Sequence, residues 1–144
     1  MPQFPHEEVA FESGINVRFT IYNSNNDYIP EHWHRSMEVI YIYEGSMELI
    51  EGQRVLLLHA GDYHVVNSAA VHATRTTTPS RVLLLQIPYA FLIGAIPEYE
   101  SVRQSVLPQG FFCRCADSGD SDFHGRSLYK KTAKLYSAVF RSAL

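Results

Sequence analysis

The chain has 144 residues, of which 46% are hydrophobic and 19% charged, the length and composition of one globular domain with its own core rather than a disordered chain. Twelve Lys and Arg against fifteen Asp and Glu give a net charge of −3, and only Lys130, Lys131 and Lys134 gather. The clustered cations of a duplex-binding surface are therefore missing.

The N-terminal residues 1–8 have neither the basic start nor the apolar run of a signal peptide. Residues 14–22 alternate apolar and polar side chains, with Ile15, Val17, Phe19 and Ile21 on one face, which predicts a half-buried strand. Asn23 to Asp27 are all turn formers and end it. Residues 37–43 are a run of β-branched and aromatic residues closed by Glu44-Gly45, and residues 46–50 form a short strand closed by Glu51-Gly52. Residues 54–58 predict another strand ended by Ala60-Gly61-Asp62, and 63–67, 72–77 and 81–87 follow. About eight strands this short, with no helix-period segment between them, predict a mainly β fold, an antiparallel barrel or jelly roll.

The pattern changes after Pro88. Residues 89–93 predict a helical turn, Pro97 suits a first helical position, and 98–107 continue a helix. The most apolar stretch, 82–96, is interrupted by Gln86, Pro88 and Gly94, too short and broken to span a bilayer, so a cytoplasmic protein without membrane contact is expected. Cys113 and Cys115 form a lone C-x-C, read as reduced thiols. Residues 115–125 predict a loop. From Ser127 the spacing is helical, with Leu128, Leu135, Tyr136, Val139, Phe140 and Ala143 on one side and Lys130, Lys131, Lys134, Ser137 and Arg141 on the solvated other. The expected division is a barrel over 1–88 and a helical tail over 89–144, packed on the barrel or forming a dimer contact. The stripe runs uncapped into the last residue, so the chain is expected to be part of a longer one.

No G-x-x-x-x-G-K, G-x-G-x-x-G, G-x-S-x-G or H-E-x-x-H occurs, which removes the commonest nucleotide, serine-hydrolase and zinc-protease readings. A histidine cluster remains. His32, His34 and Glu38 share even-numbered offsets and hence one strand face, and His72 lies on a later strand. In a straight strand His34 and Glu38 would stand ~13 Å apart, too far for ligands of one ion. A bend is required, and Arg35-Ser36 is where it is expected. The residue types admit two readings: a mononuclear site for one divalent ion (Zn, Ni, Fe, Mn or Cu), or imidazoles bonded to one another, to Glu38 and to water.

The run His32-x-His34-x-x-x-Glu38 followed by Gly45 resembles the first cupin motif, and Gly61-Asp62 through Asn67 to His72 resembles the second. The second departs by having Asn67 and Ala69 where proline and glycine are usual, and Thr76 where asparagine is usual. The resemblance covers about residues 27–88 and implies a cupin double-stranded β-helix followed by C-terminal helices, with His32, His34, Glu38 and His72 in the ligand positions. Within cupins, residues 32–41 with Glu44-Gly45-Ser46, Ala60-Gly61-Asp62, His72 and the 84–87 strand before a helical tail are similar to the N-terminal domain of AraC-type regulators. That likeness implies a small effector in the barrel, a homodimer made through the tail, no catalysis, and DNA contact only through a following helix-turn-helix part. The competing expectation is a small metal-dependent cupin enzyme, a dioxygenase or isomerase.

His32, His34, Glu38, Ile40 and His72 are the expected ligand-binding residues. Strand parity sends Ile40 and Ile42 inward with Glu38, and Tyr41 and Tyr43 outward. His59 and His64 flank the Gly61-Asp62 turn and are expected at the surface or rim. Trp33 is expected on the face opposite the histidines, packed under the tail, with a sugar-stacking platform as the alternative.

Overall fold

The computed structural model describes residues 3–11, 17–106 and 111–114. Eight strands come first: β1 (Arg18–Ser24), β2 (Tyr28–His32), β3 (Met37–Glu44), β4 (Ser46–Glu51), β5 (Arg54–His59), β6 (Asp62–Val66), β7 (His72–Arg75) and β8 (Ser80–Ile87). Helices α1 (Tyr89–Ala95) and α2 (Tyr99–Val106) follow, then strand β9 (Phe111–Arg114). The strands form two antiparallel sheets, in the orders β1-β8-β3-β6-β9 and β2-β7-β4-β5.

Alternation along the strands builds two cores. Ile40, Ile42, Met47, Leu49, Leu58, Val66 and Val82 point between the sheets and fill the closed end of the barrel. Met37, Val65 and Ile87 point the other way and are covered by Leu92, Ile96 and Tyr99 of the helical segment. The inward and outward sets on β3 are those the parity predicts: Ile40 and Ile42 are buried, Tyr43 is exposed.

On β1 the apolar face is the outer one, with Phe19 and Ile21 exposed and Thr20 and Tyr22 turned inward, and two further elements lie where the sequence predicts no strand. Strand β2 lies where turn residues give way to a mostly exposed pentapeptide containing Pro30. Proline removes a ladder donor, which is tolerated here because β2 is the edge of its sheet. Strand β9 lies within the stretch expected to be a helical tail, and it pairs with β6 from Asp62 to Val65. The predicted helices at 89–93 and 98–107 are present as α1 and α2, with Pro97 two residues ahead of α2. The predicted loop at 115–125, the amphipathic stripe from 127 on, and Cys115 lie outside the described residues.

Gly45 carries the chain from one sheet to the other at φ +80°, and a Cβ there would stand 2.4 Å from the Pro79 carbonyl oxygen. Gly52 also has positive φ, +59°, but nothing lies within 4 Å of its Cβ position. The two separate backbone strain from steric overlap. Gly52→Ala is expected to destabilise by about 1 kcal/mol and Gly45→Ala by about 3 kcal/mol, read from urea denaturation midpoints. Equal losses would show that the Pro79 contact is not the reason for glycine at 45.

Candidate metal and ligand site

The histidines come from three places. His32 ends β2, His34 sits in the link that follows, and His72 opens β7, where it is in register with His32. Glu38 lies on β3 beyond the bend at Arg35-Ser36, in register with Gln86 of β8. The bend closes the gap that a straight strand would leave: the His34 Nε2 to Glu38 Oε2 distance is 3.0 Å.

A β-bulge sets the direction of His32. Ile29 pairs with Thr74 and His32 with His72, so three steps on β2 match two on β7. Strict alternation from the cavity-facing Ile29 would turn His32 outward; the extra residue at Pro30-Glu31 turns it back toward His72.

Each imidazole is oriented in the same way. Nδ1 of His32 bonds the Pro30 carbonyl at 2.9 Å, that of His34 the Ser36 carbonyl at 3.0 Å, and that of His72 the Ala70 carbonyl at 3.1 Å. A carbonyl oxygen only accepts, so Nδ1 carries the proton in all three rings and Nε2 is left for the centre. These bonds to backbone carbonyls fix the tautomer that a metal-binding histidine needs. The candidate ligand atoms of the three histidines lie within 4.8 Å of one another. Glu38 closes the fourth side, with Oε1 3.8 Å from His72 Nε2. Ligands of one Zn-type ion at ~2.0–2.2 Å stand ~3–4 Å from each other, so this donor set fits one divalent cation after small side-chain shifts. When bound, such an ion would supply Lewis acidity at the cavity wall.

Without an ion, a proton fills the same role. His34 donates from Nδ1 to Ser36 and from Nε2 to Glu38, and Glu38 Oε2 also accepts from Gln86 Nε2 at 2.9 Å. Burial disfavours the His34 imidazolium, but its bond to Glu38, that carboxylate's charge and the Ser36 carbonyl outweigh burial and raise the pKa. Burial would push the Glu38 carboxyl up, yet the His34 bond, the two histidine charges and Gln86 hold it below the usual range. His72 is shifted downward, chiefly by burial, against the pull of Glu38. These shifts all favour a proton shared between His34 and Glu38 over one on His72.

The cluster forms part of the wall of a cavity of about 470 Å³ that includes His32, His72, Glu38 and Gln86, with Arg18, Thr20 and Tyr22 from β1. Burial and the charges of Glu38 and Asp27 push the Tyr22 hydroxyl up to about 12, so it remains a proton donor. Residues 5–7 cross the mouth. Trp33 N donates to the Pro5 carbonyl and Glu7 N to the Trp33 carbonyl, which brings Glu7 Oε2 to 3.3 Å from His32 Nε2.

Of the five residues expected to bind ligand, His32, Glu38 and His72 line this cavity. His34 is 1% exposed and reaches the centre through Glu38. Ile40 does point inward, but Met47, Leu49 and Leu58 fill the space before it, and it belongs to the core rather than the cavity wall. His59 is exposed as expected, whereas His64 is completely buried, 3.2 Å from Glu51 Oε2. His64 is opposite Ile40 in the ladder and so shares its inward face; proximity to a turn was the wrong guide. Trp33 packs against the N-terminal arm, its ring tilted 45° to that of His6 at 4.3 Å with Nε1 donating to the Phe4 carbonyl, and it lines a pocket with Tyr89 and Ala90 at the start of the expected tail.

Gln86 and Glu7 were missed. Gln86 is the one polar side chain in the run 82–87, at the inward parity of Val82 and Leu84, and that isolation was a readable signal. Glu7 carries no local signal, because its contact spans 25 positions of the chain.

Residues 19–88 match the Cupin_2 family model, described as a cupin domain. The barrel has the cupin fold. A cupin superfamily protein from Desulfitobacterium hafniense aligns with it at a TM-score of 0.50 and 14% identity, over 56% of this chain and 74% of that one. A cupin-2 domain protein from Shewanella frigidimarina aligns at 0.48 and 17%, over 60% and 84%. The DMSP lyase DddQ from Ruegeria pomeroyi aligns at 0.46 and 28%, over 50% of this chain and 38% of that one. These likenesses concern the cupin fold alone. No curated protein matches the chain in sequence. Among the described residues of the cupin structure no helix is long and apolar enough to cross a membrane.

Proposed function

We propose that this cupin barrel is a small-molecule-sensing domain of AraC type, acting as a homodimer through its tail, with no catalysis of its own and with DNA contact only through a part beyond this chain. The observation that carries the reading is the arm across the cavity mouth: Pro5 and Glu7 line the same cavity as His32 and His72. A ligand reaching the histidines competes with Glu7 for His32 and so biases the arm, which is the differential contact that sensing requires. The test combines limited proteolysis of residues 3–11 with light scattering, with and without ligands found by thermal-shift screening. A ligand that changes arm cleavage and dimer mass supports sensing; a ligand that changes neither overturns it.

The second reading, a metal-dependent cupin enzyme such as a dioxygenase or isomerase, is favoured by the three Nδ1-to-carbonyl bonds. Turnover of a bound ligand by metal-loaded protein, abolished by His72→Ala, would establish it.

A further inference from the structure

The acidic groups lining the cavity all have partners. Glu38 is bonded to His34 and Gln86, Glu7 faces His32, and Glu31 accepts from the Tyr28 hydroxyl at 3.2 Å. Arg18 is the one lysine or arginine of the lining, and it has no hydrogen bond or ion pair with a described residue. Its guanidinium is always protonated and presents a planar fork of donors.

Register fixes where that charge stands. Arg18 pairs with Gln86, and Gln86 with Glu38, so the three form one row across β1, β8 and β3. All three line the cavity. Strands lie ~4.8 Å apart, which puts the Arg18 backbone about 10 Å from that of Glu38. A small molecule therefore spans the space between the guanidinium and the histidine face. Along that path lie the hydroxyls of Thr20, Tyr22 and Thr74, with Leu84 and Ile29 as apolar wall. The volume, about 470 Å³, falls at the small end of ligand cavities.

We propose that the cavity takes a small carboxylic acid carrying a hydroxy or oxo group, its carboxylate held in the fork of Arg18 and its other oxygen directed to His32, His72 and Glu38. This rests on the reading of the barrel as a small-molecule site and names the ligand class. At the Arg18 end the guanidinium favours a carboxylate over a neutral sugar or an amine, because no described acidic side chain meets its fork of donors. A charge-assisted bidentate pair is also among the strongest single contacts a small ligand can make.

The experiment uses the full 144-residue chain. Pyruvate, lactate and malate, their amides, and glucose are titrated by calorimetry against the wild type, Arg18→Gln and Arg18→Lys, with far-UV circular dichroism as the check on folding. The expected result is binding of at least one acid but not its amide, about 10- to 100-fold weaker in Arg18→Gln and intermediate in Arg18→Lys. An amide or glucose binding as well as the acids, or an acid binding Arg18→Gln as it binds wild type, overturns the carboxylate assignment and leaves the small-molecule reading standing. Binding of none of the compounds overturns the carboxylate assignment together with that reading.

Discussion

In chelator, Glu38→Ala is expected to destabilise the protein by about 3 kcal/mol, a fall in Tm of about 10 °C. The reason is the charge left behind. His34 is 1% exposed and its imidazolium is favoured by this carboxylate, so loss of Glu38 leaves a protonated His34 as an unpaired buried cation or makes it give up its proton. Gln86 loses its acceptor as well. The effect has a pH signature. The raised His34 pKa contributes stability that is fully present below the ordinary histidine value of 6.5 and lost as pH rises through its folded value. The lowered Glu38 pKa contributes stability present above the ordinary 4.5 and lost as pH falls through its folded value. The penalty of Glu38→Ala is therefore greatest between those two ordinary values and shrinks at alkaline pH, where wild-type His34 also deprotonates. His34→Ala added to Glu38→Ala is expected to cost much less than the sum of the two singles, a coupling of about 1–3 kcal/mol in a double-mutant cycle. Strict additivity would mean that the two side chains do not form the pair described.

The second large effect is metal loading. Protein purified without an affinity tag and titrated with Zn²⁺, Ni²⁺ or Mn²⁺ is expected to take up one ion per chain, with a rise in stability of about 4 kcal/mol at a thousandfold excess over Kd. His72→Ala is expected to weaken binding by about 100-fold or more, because it removes one imidazole of three and the ring that lies 4.3 Å from that of His32. Binding must displace the proton between His34 and Glu38. Affinity should accordingly fall about tenfold per pH unit below the raised His34 value, and one proton should appear in solution per ion bound. Less than about a tenth of an equivalent bound at neutral pH would overturn the metal assignment and leave the cluster as a hydrogen-bonded ion pair.

Much of the barrel was legible because strand periodicity is local. The turn residues at 44–45, 51–52 and 60–62 separate the strands where they separate in the structure, and parity alone placed Glu38, Ile40 and Ile42 inward. The need for a bend at Arg35-Ser36 followed from ligand reach, and the chain bends there. What parity does not encode is depth. Ile40 and Glu38 face the same way, but one stands over Met47, Leu49 and Leu58 and the other at the cavity wall, a difference made by a different sheet.

The sequence by itself determined a mainly β chain of cupin type and a histidine and glutamate set of metal-binding types at spacings compatible with one centre. Tertiary structure alone decided how that set is used. Only pairing with β7 shows the bulge at Pro30-Glu31 that brings His32 to His72. Only the arm's bonds to Trp33 set Glu7 over the cavity, and only the order of strands puts Arg18, unpaired among the described residues, in one row with Gln86 and Glu38. Which residues can face one another is a property of neighbouring positions along a strand; which ones meet depends on register, bulges and the packing of distant segments, and no local pattern records those.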